Sequence, residues 1–119
     1  MNIEDFREYC LSKKGVEETF PFDDVTLVYK VIGKMFTACG LDAEEFSVNL
    51  KCDPERSVQL REEYPESIIP GWHMNKIHWN TVYFERDLND SLIRELIDHS
   101  YELVVKKLRK KDRELLENL

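Results

Sequence analysis

Apolar and polar residues alternate along two stretches in the first half of the chain, as they do in half-buried strands. From residue 25 to 32, Val25, Leu27, Tyr29 and Val31 alternate with Thr26, Val28, Lys30 and Ile32. Gly33 separates this strand from a second one, Lys34 to Cys39, which predicts a hairpin. Between Phe46 and Cys52 the polar positions are Ser47, Asn49 and Lys51. One apolar and one polar face predict an antiparallel sheet that is covered on a single side.

Helical periodicity and capping residues predict three helices. They cover residues 2 to 13, about 53 to 63 and about 90 to 110, with Asn2, Asp53 and Asp90 as their caps. Their apolar stripes have to be buried against one face of the sheet. The chain is therefore predicted to form an α+β fold, a two-layer sandwich of an antiparallel sheet with helices packed on one face. Its 119 residues fit a single domain that spans positions 1–119.

The segment from Ser67 to Phe84 contains no Asp or Glu, although the chain has 24 of them. An irregular stretch, Ser67 to Met74, leads to a last predicted strand, Lys76 to Phe84. Alternation separates Lys76, His78, Asn80 and Val82 from Ile77, Trp79, Thr81 and Tyr83. The large apolar ring of Trp79 suggests that its side of the strand faces the core. Lys76, His78 and Asn80 are then expected on the open face.

The predicted open face of the sheet is a candidate nucleic-acid interface. Its candidate residues are Lys30, Asn49, Lys51, Lys76, His78 and Asn80. Lysine, asparagine and histidine side chains without a neighbouring carboxylate are suited to contact phosphates and base edges. An ordinary solvated sheet face has the same polar composition, so both interpretations remain open. Three or four lysine contacts would give weak, salt-sensitive binding.

Residues 106–113 form a second basic feature, with six cations and one anion. This run has a local charge of +5 in a chain whose net charge is −7, so the other residues carry −12. Basic residues complement the dipole of a helix C-terminus, and charge runs are usually solvated. A secondary contact with phosphates is the alternative.

Composition excludes several classes of protein. A hydrophobic content of 42% and 13 aromatic residues predict a folded globular chain rather than a disordered one. The three cysteines lie at apolar positions and form no CxxC pair, which predicts buried free thiols in a reducing cytoplasm. The acidic N-terminus lacks an apolar signal core, and no apolar run approaches the ~18 residues of a membrane span. We expect a soluble, monomeric, cytoplasmic protein.

No catalytic or cofactor-binding motif is evident. Gly33 and Lys34 lack the upstream glycine of a phosphate-binding loop. His73 and His78 are five positions apart, so a continuous strand would point them to opposite faces, and no cysteine lies near them to complete a zinc site. Neither Cys10 nor Ser100 has a recognisable base or oxyanion loop. The chain is predicted not to be an enzyme and to need no cofactor.

Five ordered segments resemble the MmcQ/YjbR family over nearly the whole chain. They are residues 33–36 (GKMF), 47–55 (SVNLKCDPE), 70–76 (PGWHMNK), 78–82 (HWNTV) and 98–104 (DHSYELV). The resemblance implies a frataxin-like (CyaY-like) fold and a DNA-binding role through a double-wing arrangement, with no catalytic motif to carry over. Fold alone does not fix function, because function depends on the site.

Three hypotheses follow. The leading one is a non-enzymatic DNA-binding module that uses the open sheet face. The second, from another class, is a protein-interaction or regulatory module that docks a partner at the loop carrying Trp72 and His73. The third is a metal binder, because frataxin-fold proteins are associated with iron on an acidic helix. Here, however, the acids in the first turn, Glu4 and Asp5, are already explained by the helix dipole.

Overall fold

An antiparallel sheet of six strands organises the chain, and the computed structural model describes all 119 residues. The helices are α1 (Ile3–Leu11), α2 (Pro54–Glu63), α3 (Asp90–Lys106) and α4 (Lys110–Glu117). The strands are β1 (Val16–Thr19), β2 (Thr26–Val31), β3 (Lys34–Gly40), β4 (Ser47–Lys51), β5 (Ile68–Pro70) and β6 (Trp79–Tyr83). Their order across the sheet is β1-β2-β3-β4-β6-β5, and every neighbouring pair is antiparallel.

Side-chain caps fix where the helices begin. The Asn2 side chain accepts the backbone N–H of Asp5, and the Asp53 carboxylate accepts the first amides of α2. Both caps are as predicted. The third helix is capped one residue earlier than predicted, because the Asn89 side chain accepts the N–H of Leu92 and Asp90 becomes the first helical residue.

The core lies between the sheet and the helices, all of which contribute buried side chains to it. Phe6 of α1 is fully buried and makes edge-to-face contacts with Tyr29 and Phe84, each at 5.5 Å between ring centroids. Ile93 and Ile97 of α3 are also fully buried in this cluster. The predicted α+β sandwich, with helices on one face of an antiparallel sheet, is confirmed.

Three short elements, β1, β5 and α4, were not predicted, and each depends on tertiary contacts, which for β5 come from its pairing with β6. The sequence of β1 does not alternate, and it becomes a strand by pairing Val16 to Thr19 with β2. The predicted third helix breaks after Lys106, and α4 turns back so that Leu116 is buried. At Gly15, which has a φ of +74°, an added Cβ would lie 2.6 Å from Leu116 Cδ1. Gly15, in the turn between α1 and β1, therefore makes room for α4.

The predicted burial of three free cysteines and the predicted sheet faces of β2 and β4 are confirmed. All three cysteines are buried and free. In β2 and β4 the apolar positions face the core, as the burial of Tyr29 and Leu50 shows. No helix has both the length and the apolar character that crossing a bilayer requires.

Candidate functional site

The assignment of faces in β6 was wrong, and Asn80 is not on the open face. Asn80 is opposite Leu50, whose side chain is in the core, and only 2% of its surface is exposed. Its Oδ1 accepts a hydrogen bond from Arg61 Nε at 2.8 Å, and its Nδ2 donates to the Ser57 hydroxyl at 3.4 Å. Helix α2 covers this asparagine, so it is unavailable to a nucleic acid. The alternation was correct, but the large ring of Trp79 misled the choice of face.

Lys76 and His78 lie in a turn before β6 rather than in the strand, which begins at Trp79. The Asn75 side chain builds this turn by accepting the N–H groups of Ile77 and His78. Lys76 Nζ donates to the carbonyl of Gly71 at 3.0 Å and so helps to hold the preceding loop. Lys76, His78 and Asn80 therefore do not form one surface.

Residues 71–78 form a loop, the cover loop, that folds over the open face of the sheet. The N–H of Trp72 donates to the Thr81 hydroxyl at 2.8 Å, and Asn49 Nδ2 donates to the Trp72 carbonyl at 3.3 Å. Gly71 is packed so closely that an added Cβ would lie 2.9 Å from Trp79 Cβ. Asn49 is thus on the predicted face, but its amide holds the loop in place.

The cover loop presents an exposed aromatic pair on a fixed backbone. The Trp72 side chain is 65% exposed, and its ring meets the His73 ring edge-to-face at 4.9 Å between centroids. His73 has a φ of +59°, an uncommon conformation for a residue with a side chain. Such backbone strain is often found at functional sites.

Between the cover loop and β2–β4 lies a cleft of about 480 Å³, which we call the open-face cleft. Its walls include Trp72 and Phe22, whose side chain is 70% exposed, and its floor includes Ala38 and Met35. Its polar lining residues are Thr26, Asp42, Ser47, Asn49, His73 and Thr81. This volume is in the range of ligand sites in proteins.

A second feature, the lysine cluster, lies at the end of the sheet where β4 meets the C-terminus of α3. Its members are Lys34, Lys51, Lys106 and Lys107. Lys51 and Lys107 line two adjoining depressions, of about 330 and 250 Å³. Met35 lines both the smaller depression and the open-face cleft, so the cluster and the cleft are neighbours on the surface.

None of the six ion pairs in the structure involves a lysine of this cluster. Burial, and then the positive charge of Lys107, lower the pKa of Lys51 from its usual value. Asp53 lines the larger depression, but its carboxylate already accepts the amides of Glu55 and Arg56. The four lysines therefore form no ion pair within the protein, and Asp53 is the one carboxylate residue that lines their depressions.

Ser100 of α3 fixes the backbone at Lys51. Its buried hydroxyl donates to the carbonyl of Phe36 at 2.6 Å and accepts the N–H of Lys51 at 2.9 Å. The register of β3 with β4 runs only through Thr37 and Ala38, so the hydroxyl links the strands where their direct pairing ends. Ser100 thus connects α3 to the backbone of Lys51, the most buried lysine of the cluster.

Other predicted features lie elsewhere. Lys30 is half-buried on the open face, and the residue paired with it on β1 is Glu17. Asp42 lines the open-face cleft. The open face is therefore not free of carboxylates. In the basic run, Lys106 and Lys107 belong to the lysine cluster, whereas the exposed residues of α4 line neither depression. Sequence reasoning missed Phe22 and Asp42, which the loops bring to the open-face cleft, and it counted Lys34 only as a fourth lysine of the predicted open face.

Two of the acidic residues near α1, Glu18 and Asp23, have partners within the protein. Glu18 accepts hydrogen bonds from Arg7 and Tyr29, each at 2.8 Å. The Asp23 carboxylate accepts the amides of Val25 and Thr26. No group of three or more His, Cys, Asp or Glu side chains is arranged to hold a metal ion.

Comparison with known proteins gives consistent matches. The model of the YjbR family matches residues 11–103. The uncharacterized protein YjbR of Escherichia coli K12 is 34% identical over 119 residues, which is 100% of both chains. The uncharacterized protein YbdF of Escherichia coli O157:H7 is 39% identical over 106 residues, covering 89% of this chain and 86% of YbdF. The crystal structure of Deinococcus radiodurans protein DR2400 superimposes with a TM-score of 0.91 at 40% identity, covering 98% of this chain and 88% of that one.

Proposed function

The chain belongs to the YjbR family, and we propose that it is a non-enzymatic DNA-binding module whose phosphate contacts come from the lysine cluster. The observation that carries this proposal is the convergence of four lysines without ion-pair partners in a chain of net charge −7. Unpaired cations that crowd one another favour an anionic ligand. The adjoining aromatic cleft adds a surface on which bases can stack.

The proposed interface differs from the open face predicted from sequence. Lys51 is kept from that prediction, and His78 contributes from the rim of the larger depression. Lys34, Lys106 and Lys107 replace Lys76 and Asn80, which are engaged in holding the loop and in packing against α2. Reduced, buried cysteines suit a cytoplasmic setting for this activity.

Paired charge removal tests the proposal. A Lys51→Ala, Lys107→Ala variant should bind a labelled DNA strand of about twelve nucleotides five- to thirtyfold more weakly at low salt, because two lysine–phosphate contacts contribute about 1–2 kcal/mol. The matched control is Lys110→Ala, Lys111→Ala, which removes the same charge from exposed positions of α4. Fluorescence anisotropy measures both variants. Equal losses of affinity in both variants would show that binding depends only on net charge and not on the lysine cluster. Unchanged binding by the Lys51→Ala, Lys107→Ala variant would also refute the proposal.

A second candidate function, docking of a protein partner, is favoured by the exposed apolar side chains of the cover loop. Trp72 is 65% and Ile77 63% exposed, although both belong to a loop fixed by hydrogen bonds. Solvent-exposed tryptophans on fixed backbones are typical anchors of protein interfaces. A photoreactive residue at position 77, with one at the exposed α2 position Val58 as control, distinguishes the two functions in cells. Adducts sensitive to DNase support DNA, and adducts sensitive only to protease support a protein partner.

A further inference from the structure

The open-face cleft has a carboxylate at one end and the lysine cluster near the other. This distribution of charge suits a nucleotide, which has a neutral base at one end and a phosphate at the other. At one end Asp42 lies beside Gly40, where an added Cβ would be 3.4 Å from its carboxylate oxygen. At the other end, beyond Met35, lie Lys51 and Lys107. Asp42 forms no ion pair within the protein, so its carboxylate is free to accept hydrogen bonds from a ligand.

The sheet sets the separation between these two ends. Continued past the paired residues Thr37 and Ala38, the β3–β4 register runs toward Gly40 and Ser47, and Lys51 lies four residues from Ser47 along β4. Four residues of strand span about 14 Å. A carboxylate at one end repels phosphate, and a lysine at the other attracts it. The ligand is thus oriented with its phosphate toward Lys51 and its neutral ring toward Asp42.

We infer that the open-face cleft holds one unpaired nucleobase that carries an amino group, with its ring against Trp72, its amino group on Asp42 and its phosphate at the lysine cluster. A carboxylate accepts hydrogen bonds from the amino group of cytosine but cannot donate to a carbonyl oxygen. Uracil presents a carbonyl oxygen at that position. The inference rests on the proposed DNA-binding function, and it deepens that function by predicting single strands rather than duplexes as the ligand.

Strands of equal charge test the inference. Oligodeoxycytidine, oligodeoxyuridine and an abasic strand, each of about ten nucleotides, are titrated with the full chain at one salt concentration, and binding is measured by anisotropy. A duplex of the same length, which carries about twice their charge, is titrated beside them. The cytidine strand should bind about tenfold more tightly than the abasic strand, because a stacked base contributes that much. It should also bind more tightly than the uridine strand and the duplex. Equal binding of the cytidine strand and the abasic strand would overturn the inference.

Two substitutions assign the effect to named side chains. Trp72→Ala should weaken binding of the cytidine strand about tenfold and leave the abasic strand unchanged, and Trp72→Phe should recover most of the loss. Asp42→Asn should remove the preference for cytidine over uridine. Both side chains are exposed, so thermal unfolding should be unaffected in each variant. A cytidine preference that survives Asp42→Asn would exclude recognition of the amino group by Asp42, and equal losses for both strands in Trp72→Ala would exclude base stacking in this cleft. Either result would overturn the inference.

The same titrations separate this inference from the proposed function. If all four nucleic acids bind alike and lose affinity together in Lys51→Ala, Lys107→Ala, the lysine cluster binds phosphates and only the base-binding inference fails. If none of them binds, both fail. A cytidine preference that depends on both Asp42 and Lys51 supports both.

Discussion

Replacing Ser100 by alanine tests whether α3 determines the geometry of the lysine cluster. The Ser100 side chain is fully buried, and its hydroxyl bridges the carbonyl of Phe36 and the N–H of Lys51 at 2.6 and 2.9 Å. Ser100→Ala removes both bonds but adds no bulk. A buried carbonyl and a partly buried N–H then lose their partner.

The magnitude follows from these two groups. Leaving a buried backbone donor or acceptor without a partner costs about 1–3 kcal/mol. We expect Ser100→Ala to lower the free energy of unfolding by about 2–4 kcal/mol, a large share of the roughly 5–15 kcal/mol typical of a domain. For a chain of this length the melting temperature should fall by about 4 °C for each kcal/mol.

Urea unfolding and amide hydrogen exchange measure the effect. The amide of Lys51 should exchange faster in the variant, because it loses its acceptor. Ser91→Ala, at an exposed position in the first turn of α3, is the matched control and should change stability by less than about 0.5 kcal/mol. A Ser100→Ala variant as stable as wild type, with unaltered exchange at Lys51, would refute the bridging role.

Three further predictions follow from the structure. Asn80→Ala should lower the free energy of unfolding by about 1–3 kcal/mol, because Arg61 loses its hydrogen-bond acceptor. If the variant instead changed DNA affinity without losing stability, Asn80 would have to lie on the open face. Gly71→Ala should lower the free energy of unfolding by about 1–3 kcal/mol, because the new methyl group would lie 3.0 Å from the backbone oxygen of Trp79. The fluorescence of Trp79 should shift as well. A variant as stable as wild type would show that the loop is not closely packed. Burial lowers the pKa of His99, so the folded protein binds its proton less readily than the unfolded chain, and stability should fall as pH drops below about 6.5. His99→Gln should flatten that part of the urea-unfolding profile, and an identical profile would contradict this assignment.

The fold was predictable because its main elements are encoded locally. Strict alternation marked β4, and the caps at Asn2 and Asp53 marked the starts of two helices. Elements with weak local signals were missed, since β1 forms only by pairing with β2 and α4 only by burying Leu116. Tertiary contacts stabilise such segments, and a single sequence does not reveal them.

The site was less predictable than the fold. Alternation correctly separated Asn80 from Trp79, but it could not say which of them faces the core. The tryptophan is covered by the loop at Gly71, and the asparagine finds hydrogen-bond partners on α2. The lysine cluster contains Lys34, Lys51 and Lys107. The β2–β3 hairpin and the end of α3 bring these residues together, so their spacing in the sequence could not predict the cluster.

The salt dependence of DNA binding tests the central claim most directly. With four lysine–phosphate contacts, the logarithm of the association constant for a single strand should fall against the logarithm of the salt concentration with a slope of about −3. Removing Lys51 and Lys107 together should make that slope shallower by about 1.5, whereas the Lys110→Ala, Lys111→Ala control keeps it. A slope near zero for the wild-type protein, or one that the Lys51→Ala, Lys107→Ala variant leaves unchanged, would contradict phosphate binding by the lysine cluster.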